Sequence, residues 1–170
     1  MIVAPTRTAV KVIRESAARW GERTNVRYST LASAVGLKPA QLEEHRKFFP
    51  DKRKLPPIVT ADYVVIDEAS MVNESSTDLI FEYLNISGGK LIIMGDPYQL
   101  PPVGETKSPL ILHNKNPLVL HEVMRYAGDN LRIASDIRDH MIAQGRVPTR
   151  VDIGRLLPEK SDTLARISTQ

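Results

Sequence analysis

Three short apolar runs punctuate the first part of the chain, and none of them alternates with polar positions. They are Met1–Ala4, closed by Pro5, then Tyr63–Asp67 (YVVID), and then Leu91–Gly95 (LIIMG). Runs of this length without alternation predict strands buried on both faces, as in a parallel sheet. Between them the apolar period becomes helical. Thr6 or Thr8 is placed to cap a helix that carries Ala9, Val10, Val12, Ile13 and Ala17 and ends at Gly21, while Ser75–Leu84 puts Leu79, Ile80, Tyr83 and Leu84 on one face. Strands alternating with helices predict an α/β fold, a parallel sheet flanked by helices.

The pattern lapses at Gly36–Pro57, where five prolines or glycines accompany the charged stretch LEEHRKFFPDKRK. This reads as a short inserted segment at the surface, with a helix near Pro39–Lys47. Helical spacing returns over Asp129–Ile142, with Leu131, Ala134, Ile137 and Met141 opposite Arg132, Asp136 and Asp139. Beyond Gly145 the chain is polar and without pattern. The organisation expected is therefore one domain over 1–145, interrupted at about 36–57, followed by a polar tail or linker over 146–170.

Composition narrows the class. The 170 residues are 42% apolar with a net charge of +3, enough to bury about two-thirds of the unfolded surface in a core without covalent staples. There is no Cys, which excludes disulfides and thiolate metal sites. No apolar run approaches the length of a membrane span, and a cytoplasmic location is the default reading. Charge is uneven: residues 1–60 hold 12 basic and 5 acidic side chains, residues 61–170 hold 11 and 15. A basic first third suits a polyanion such as DNA or RNA, and equally suits simple solvation.

The chemistry gathers where strands end. In YVVIDEASMV a buried strand runs directly into Asp67 and Glu68, at the edge where open α/β sheets bind ligands. Phosphoryl chemistry uses such a pair, one carboxylate holding hydrated Mg²⁺ and its neighbour orienting and deprotonating a water. An ordinary strand-to-loop Asp-Glu, with Asp67 capping a turn, is the other reading. In LIIMGDPYQLPPVG, Gly95 permits a tight turn, Asp96 accepts hydrogen bonds, and Gln99 offers an amide to a terminal phosphate or a water. Pro101 and Pro102 stiffen the chain after Gln99. A proline-rich turn is the plainer alternative, but two strands ending in polar residues favour one shared site.

On these residues the sequence resembles superfamily 1B DNA helicases of the RecD and Dda type. DEAS at Asp67–Ser70 is similar to their motif II, and GDPYQLPPV at Gly95–Val103 to motif III. APTRTA at Ala4–Ala9 resembles motif Ia, and LHEVMRY at Leu120–Tyr126 resembles motif IV. The resemblance implies a RecA-like P-loop NTPase domain, incomplete at its N-terminus, with ATP and Mg²⁺ as cofactors and single-stranded DNA as partner. It implies Asp67 at Mg²⁺ with Glu68 beside it, Glu68 as catalytic base, Asp96 and Gln99 at the nucleotide, with Gln99 sensing the γ-phosphate, and Arg125 on that phosphate. Without the resemblance, Arg125 reads as a surface ion pair with Glu122.

For DNA, the resemblance places Pro5 and Thr6 against the strand's backbone. Thr30 falls in STLASAVGL (Ser29–Leu37), which looks like the family's STIHSLLGL element with Ala32 where His is usual. The Lys38–Lys54 stretch occupies the place of a small inserted subdomain, with Phe48 and Phe49 for stacking and six basic residues, or is a solvated loop. No GxxxxGK[ST] occurs, so the phosphate-cradling loop is absent. Met1 starting on the motif Ia strand suggests part of a longer ATP-dependent helicase, with 5′-to-3′ polarity implied by the family alone. The alternative is a nucleic-acid-binding remnant that hydrolyses nothing. Loss of the phosphate-loop strand is expected to leave unpaired sheet edges.

Overall fold

The computed structural model describes residues 1–21, 25–39, 48–50, 54–120, 129–145 and 152. Four strands form one sheet: β1 (Ile2–Ala4), β2 (Tyr28–Thr30), β5 (Tyr63–Ile66) and β6 (Lys90–Ile93). Their order is β2-β1-β5-β6 and every pairing is parallel. The three apolar runs supply β1, β5 and β6. The fourth strand, β2, is three residues of Tyr, Ser and Thr at the sheet's edge, and it carries no apolar run by which periodicity could find it.

Helix α1 (Arg7–Ala18) links β1 to β2, and Thr6 is its cap: the Ala9 N–H donates to Thr6 Oγ1 at 3.1 Å. The short α2 (Leu31–Ala34) follows β2 directly and is capped in the same way, the Ser33 N–H donating to Thr30 Oγ1 at 3.3 Å. Helix α3 (Glu74–Ser87) is longer than the apolar spacing alone indicated, because Asn73 caps it and Gly88 closes it in the left-handed conformation, its N–H donating to Leu84 O at 2.8 Å. A single turn, α4 (Pro109–Leu112), follows the motif III segment.

The core lies on one face of the sheet. Register places Val3, Ile66 and Ile93 side by side, and Val3, Val64 and Ile66 are completely buried. Against them pack Ile80 and Leu84 of α3, Val35 beyond α2, Ile58 of the 3-10 turn Pro57–Thr60, Val72 and Leu110. The opposite face departs from the expectation of burial on both sides. Helix α1 packs over β1 and β2, while Tyr63, Ile92 and Met94 remain 55, 48 and 50% exposed. Strand β6 is also the sheet's outer edge. A parallel sheet ordinarily has both faces covered, so β5 and β6 present a bare face and β6 an unpaired edge among the described residues.

Within the inserted segment, β3 (Leu37–Pro39) and β4 (Phe48–Pro50) pair antiparallel. The helix expected near Pro39–Lys47 lies outside the described residues, apart from Pro39, which is in β3. The chain divides into two compact units, Met1–Asn116 and Pro117–Gln170. In the second, α5 (Asp129–Gln144) matches the helical spacing at Asp129–Ile142, and Arg132 pairs with Asp136 one turn on at 3.6 Å. Among the described residues, no helix is long and apolar enough to cross a membrane.

Candidate nucleotide and nucleic-acid site

Because all four strands run the same way, their C-terminal ends share one edge of the sheet. Reading across that edge in spatial order gives Thr30 at the end of β2, Pro5 and Thr6 after β1, Asp67 and Glu68 after β5, and Gly95 and Asp96 just beyond β6. Register fixes these positions: Ala4 pairs with Thr30, and the Asp67 N–H donates to Val3 O at 2.8 Å. Residues far apart in sequence are thereby ordered along a single line.

The turn after β5 is built around an unusual backbone. Glu68 adopts φ 53° and ψ 41°, the only non-glycine with positive φ among the described residues. Its N–H donates to Asp67 Oδ1 at 3.0 Å, so Asp67 does cap its own turn, as the plainer reading held, and keeps its second carboxylate oxygen. Both residues are half-buried. The Glu68 carboxylate has no hydrogen bond or ion pair among the described residues. Two carboxylates at one strand end suit Mg²⁺, which commonly takes one or two of them and completes its octahedron with phosphate oxygens and water. No group of three or more His, Asp or Glu that could hold a metal exists among the described residues.

The segment that carries motif III is fastened at its start to motif II and at its end to the stretch that leads from motif II into α3. At its start, Ala69 N–H donates to Met94 O at 3.0 Å. Gly95 lies so close to the 3-10 turn Ala69–Met71 that a Cβ on it would stand 3.0 Å from Ala69 N and 3.2 Å from Ser70 N. At its end, Ser108 Oγ donates to Val72 O at 2.7 Å, and Glu105 Oε1 accepts from the Glu74 N–H, the first residue of α3, at 3.0 Å. Between these ties Asp96 forms a turn in which its Oδ1 accepts from Tyr98 N–H and its carbonyl from Gln99 N–H. Gln99 and Leu100 are exposed, so the loop presents the Gln99 side chain to solvent from a braced frame.

Sequence reasoning missed Ser108 and Glu105. The Ser108-Pro109 pair, a cap residue followed by proline at the first helical position, was a legible start signal for α4. Glu105 carries no local pattern, since it acts on a helix 31 residues upstream. The structure brings Asp67, Glu68, Asp96 and Gln99 into one region, and Pro5, Thr6 and Thr30 into the adjoining stretch of the same edge. Arg125, Lys52 and Arg53 lie outside the described residues.

Comparison with known proteins places this geometry. The model of the AAA domain family matches residues 1–154. Uncharacterized protein R530 of Acanthamoeba polyphaga mimivirus is 33% identical over 135 residues, covering 72% of this chain and 27% of that protein. Among solved structures, a Bacteroides Pif1 helicase in complex with ADP-AlF3 and ssDNA is 24% identical, covering 66% of this chain and 26% of its own, with a TM-score of 0.38. A double mutant of Bacteroides Pif1 helicase is 21% identical, covering 82% of this chain and 36% of its own, with a TM-score of 0.46. The chain spans about a quarter to a third of the length of these relatives. With the segments Ala4–Ala9, Asp67–Ser70 and Gly95–Val103 ranged along one edge of a parallel sheet, the chain belongs to the AAA domain family.

Proposed function

We propose that this domain is one lobe of a longer ATP-driven motor that moves along single-stranded DNA. The observation that carries the reading is the division of the sheet edge: carboxylates and the braced Gln99 loop over β5 and β6, capping threonines over β1 and β2. Each threonine oxygen accepts its cap bond and leaves the hydroxyl proton to donate, and backbone N–H groups at a helix start suit phosphates without reading bases.

In this reading Glu68 acts as general base. Its carboxylate has no competing partner among the described residues, and the left-handed backbone at its own position sets its direction. Asp67 and Glu68 are the carboxylates that would hold Mg²⁺, which supplies charge neutralisation at the phosphates when bound. Asp96 and Gln99 face the nucleotide, with Gln99 sensing its terminal phosphate, and Arg125 serves as the planar, permanently charged donor toward it. The bare face over Tyr63, Ile92 and Met94 and the open β6 edge support a further strand and helix in the longer protein, where the phosphate-cradling loop missing from this sequence belongs. Polarity of movement, 5′ to 3′, rests on the motif resemblance.

The test is the affinity of the longer protein for labelled single strands, read by fluorescence anisotropy with and without ADP and aluminium fluoride. A motor requires the two ligands to be coupled, so Kd is expected to differ by roughly 5- to 150-fold between the two conditions. Equal affinities, or binding that does not weaken as salt rises, would remove the nucleic-acid motor from consideration. A protein that binds strands but neither binds nor hydrolyses nucleotide would instead be the non-hydrolysing remnant.

A further inference from the structure

The residue after Ala69 in the motif II turn is Ser70, and it is 3% exposed. Its Oγ is sealed from solvent and has no hydrogen-bond partner among the described residues. Two other buried hydroxyls are paired: Thr77 Oγ1 donates to Asn73 O at 2.9 Å and Ser108 Oγ to Val72 O at 2.7 Å. A hydroxyl left alone in an apolar interior costs stability that an alanine of nearly the same size would not. Alanine fits here, since it is serine without its Oγ.

The location explains what such a cost could serve. Ser70 is two residues from Glu68 and its strained backbone, and its own N lies 3.2 Å from where a Cβ of Gly95 would stand. The motif II and motif III backbones therefore touch at Ser70. Gly95 has no side chain to hold them apart, so no bulk separates the start of the Gly95–Gln99 loop from the Ser70 turn.

Resting on the proposed ATP-driven function, we infer that Ser70 is a positioning residue: its hydroxyl stays unpaired in the free domain and hydrogen-bonds to the Gly95–Gln99 loop when nucleotide draws that loop toward Glu68. The bond forms late, holds the loop and the Glu68 turn in one arrangement, and is absent from the resting state. It thereby ties the position of Gln99 to that of the base.

The experiment compares wild-type longer protein with Ser70→Ala in three readouts. Without nucleotide, the melting temperature of Ser70→Ala is expected to equal or exceed that of wild type, because no bond is lost. In steady-state hydrolysis, kcat is expected to fall about tenfold with KM for Mg-ATP nearly unchanged, the mark of an interaction made only on the way to the transition state. The rise in melting temperature produced by ADP and aluminium fluoride is expected to be smaller in the variant. A lower melting temperature without nucleotide would mean that the hydroxyl is already bonded, and an unchanged kcat would mean that it positions nothing; either overturns the inference. A wild-type protein that turns over no ATP overturns the proposed function and this role together, whereas a hydrolysing wild type beside an equally active Ser70→Ala overturns this role alone.

Discussion

Glu68 holds a left-handed backbone that a residue with a Cβ adopts at a cost of about 1–2 kcal/mol, and glycine would adopt it freely. Such strain concentrates at functional sites. Glu68→Gly is expected to stabilise the folded domain by about 0.5–1 kcal/mol, the relief of strain less the extra backbone entropy of glycine in the unfolded chain. Urea unfolding of the 170-residue chain measures this, and a clear loss of stability would show that the carboxylate or its stem supports the turn instead. The sequence made Asp67 and Glu68 visible because a buried strand ran straight into two charges. The backbone conformation of Glu68 was not visible, since no glycine or asparagine marks it. The closeness of Gly95 to Ala69 and Ser70 was hidden too, being a contact between elements about 25 residues apart.

Helix α1 and helix α2 begin alike, each at a threonine whose Oγ1 takes a backbone N–H from the first turn. A single residue thus serves both the helix start and, in the proposed function, the DNA backbone. Thr6→Asp separates the two roles. Aspartate caps as well as threonine and suits the positive end of a helix, but its charge repels phosphate. The variant is expected to keep its melting temperature while binding labelled single strands several-fold more weakly at low salt, the gap narrowing as salt rises. A variant that binds as wild type does would remove Thr6 from the strand's path. At this scale periodicity and capping rules found α1, α3 and α5, because each has an apolar face or a cap residue. They did not find β2, which has neither apolar run nor length and exists because β1 offers it a partner along Ile2, Val3 and Ala4.

One face of the sheet is a closed core and the other, over β5 and β6, is bare among the described residues. Alternating strands and helices made the parallel α/β fold legible, but not this asymmetry, which depends on the elements packed against the sheet and not on the strands themselves. Exposed apolar side chains beside an unpaired strand edge promote association. The isolated chain is expected to self-associate in a concentration-dependent way, and replacing Ile92 and Met94 together by Lys to suppress this with little change in melting temperature. Sedimentation velocity decides it, and a chain monomeric at all concentrations would mean that this face is protected.

The central claim, that this sheet edge is the ATP-hydrolysing site of a DNA motor, is tested most directly by steady-state ATP turnover of the longer protein with and without single-stranded DNA, in wild type and Glu68→Gln. Turnover that single strands stimulate in wild type, and that Glu68→Gln lowers by about 10²–10⁴-fold while nucleotide still binds, is the expected result. Turnover equal in the two proteins would contradict the assignment of Glu68 and of the edge on which it stands.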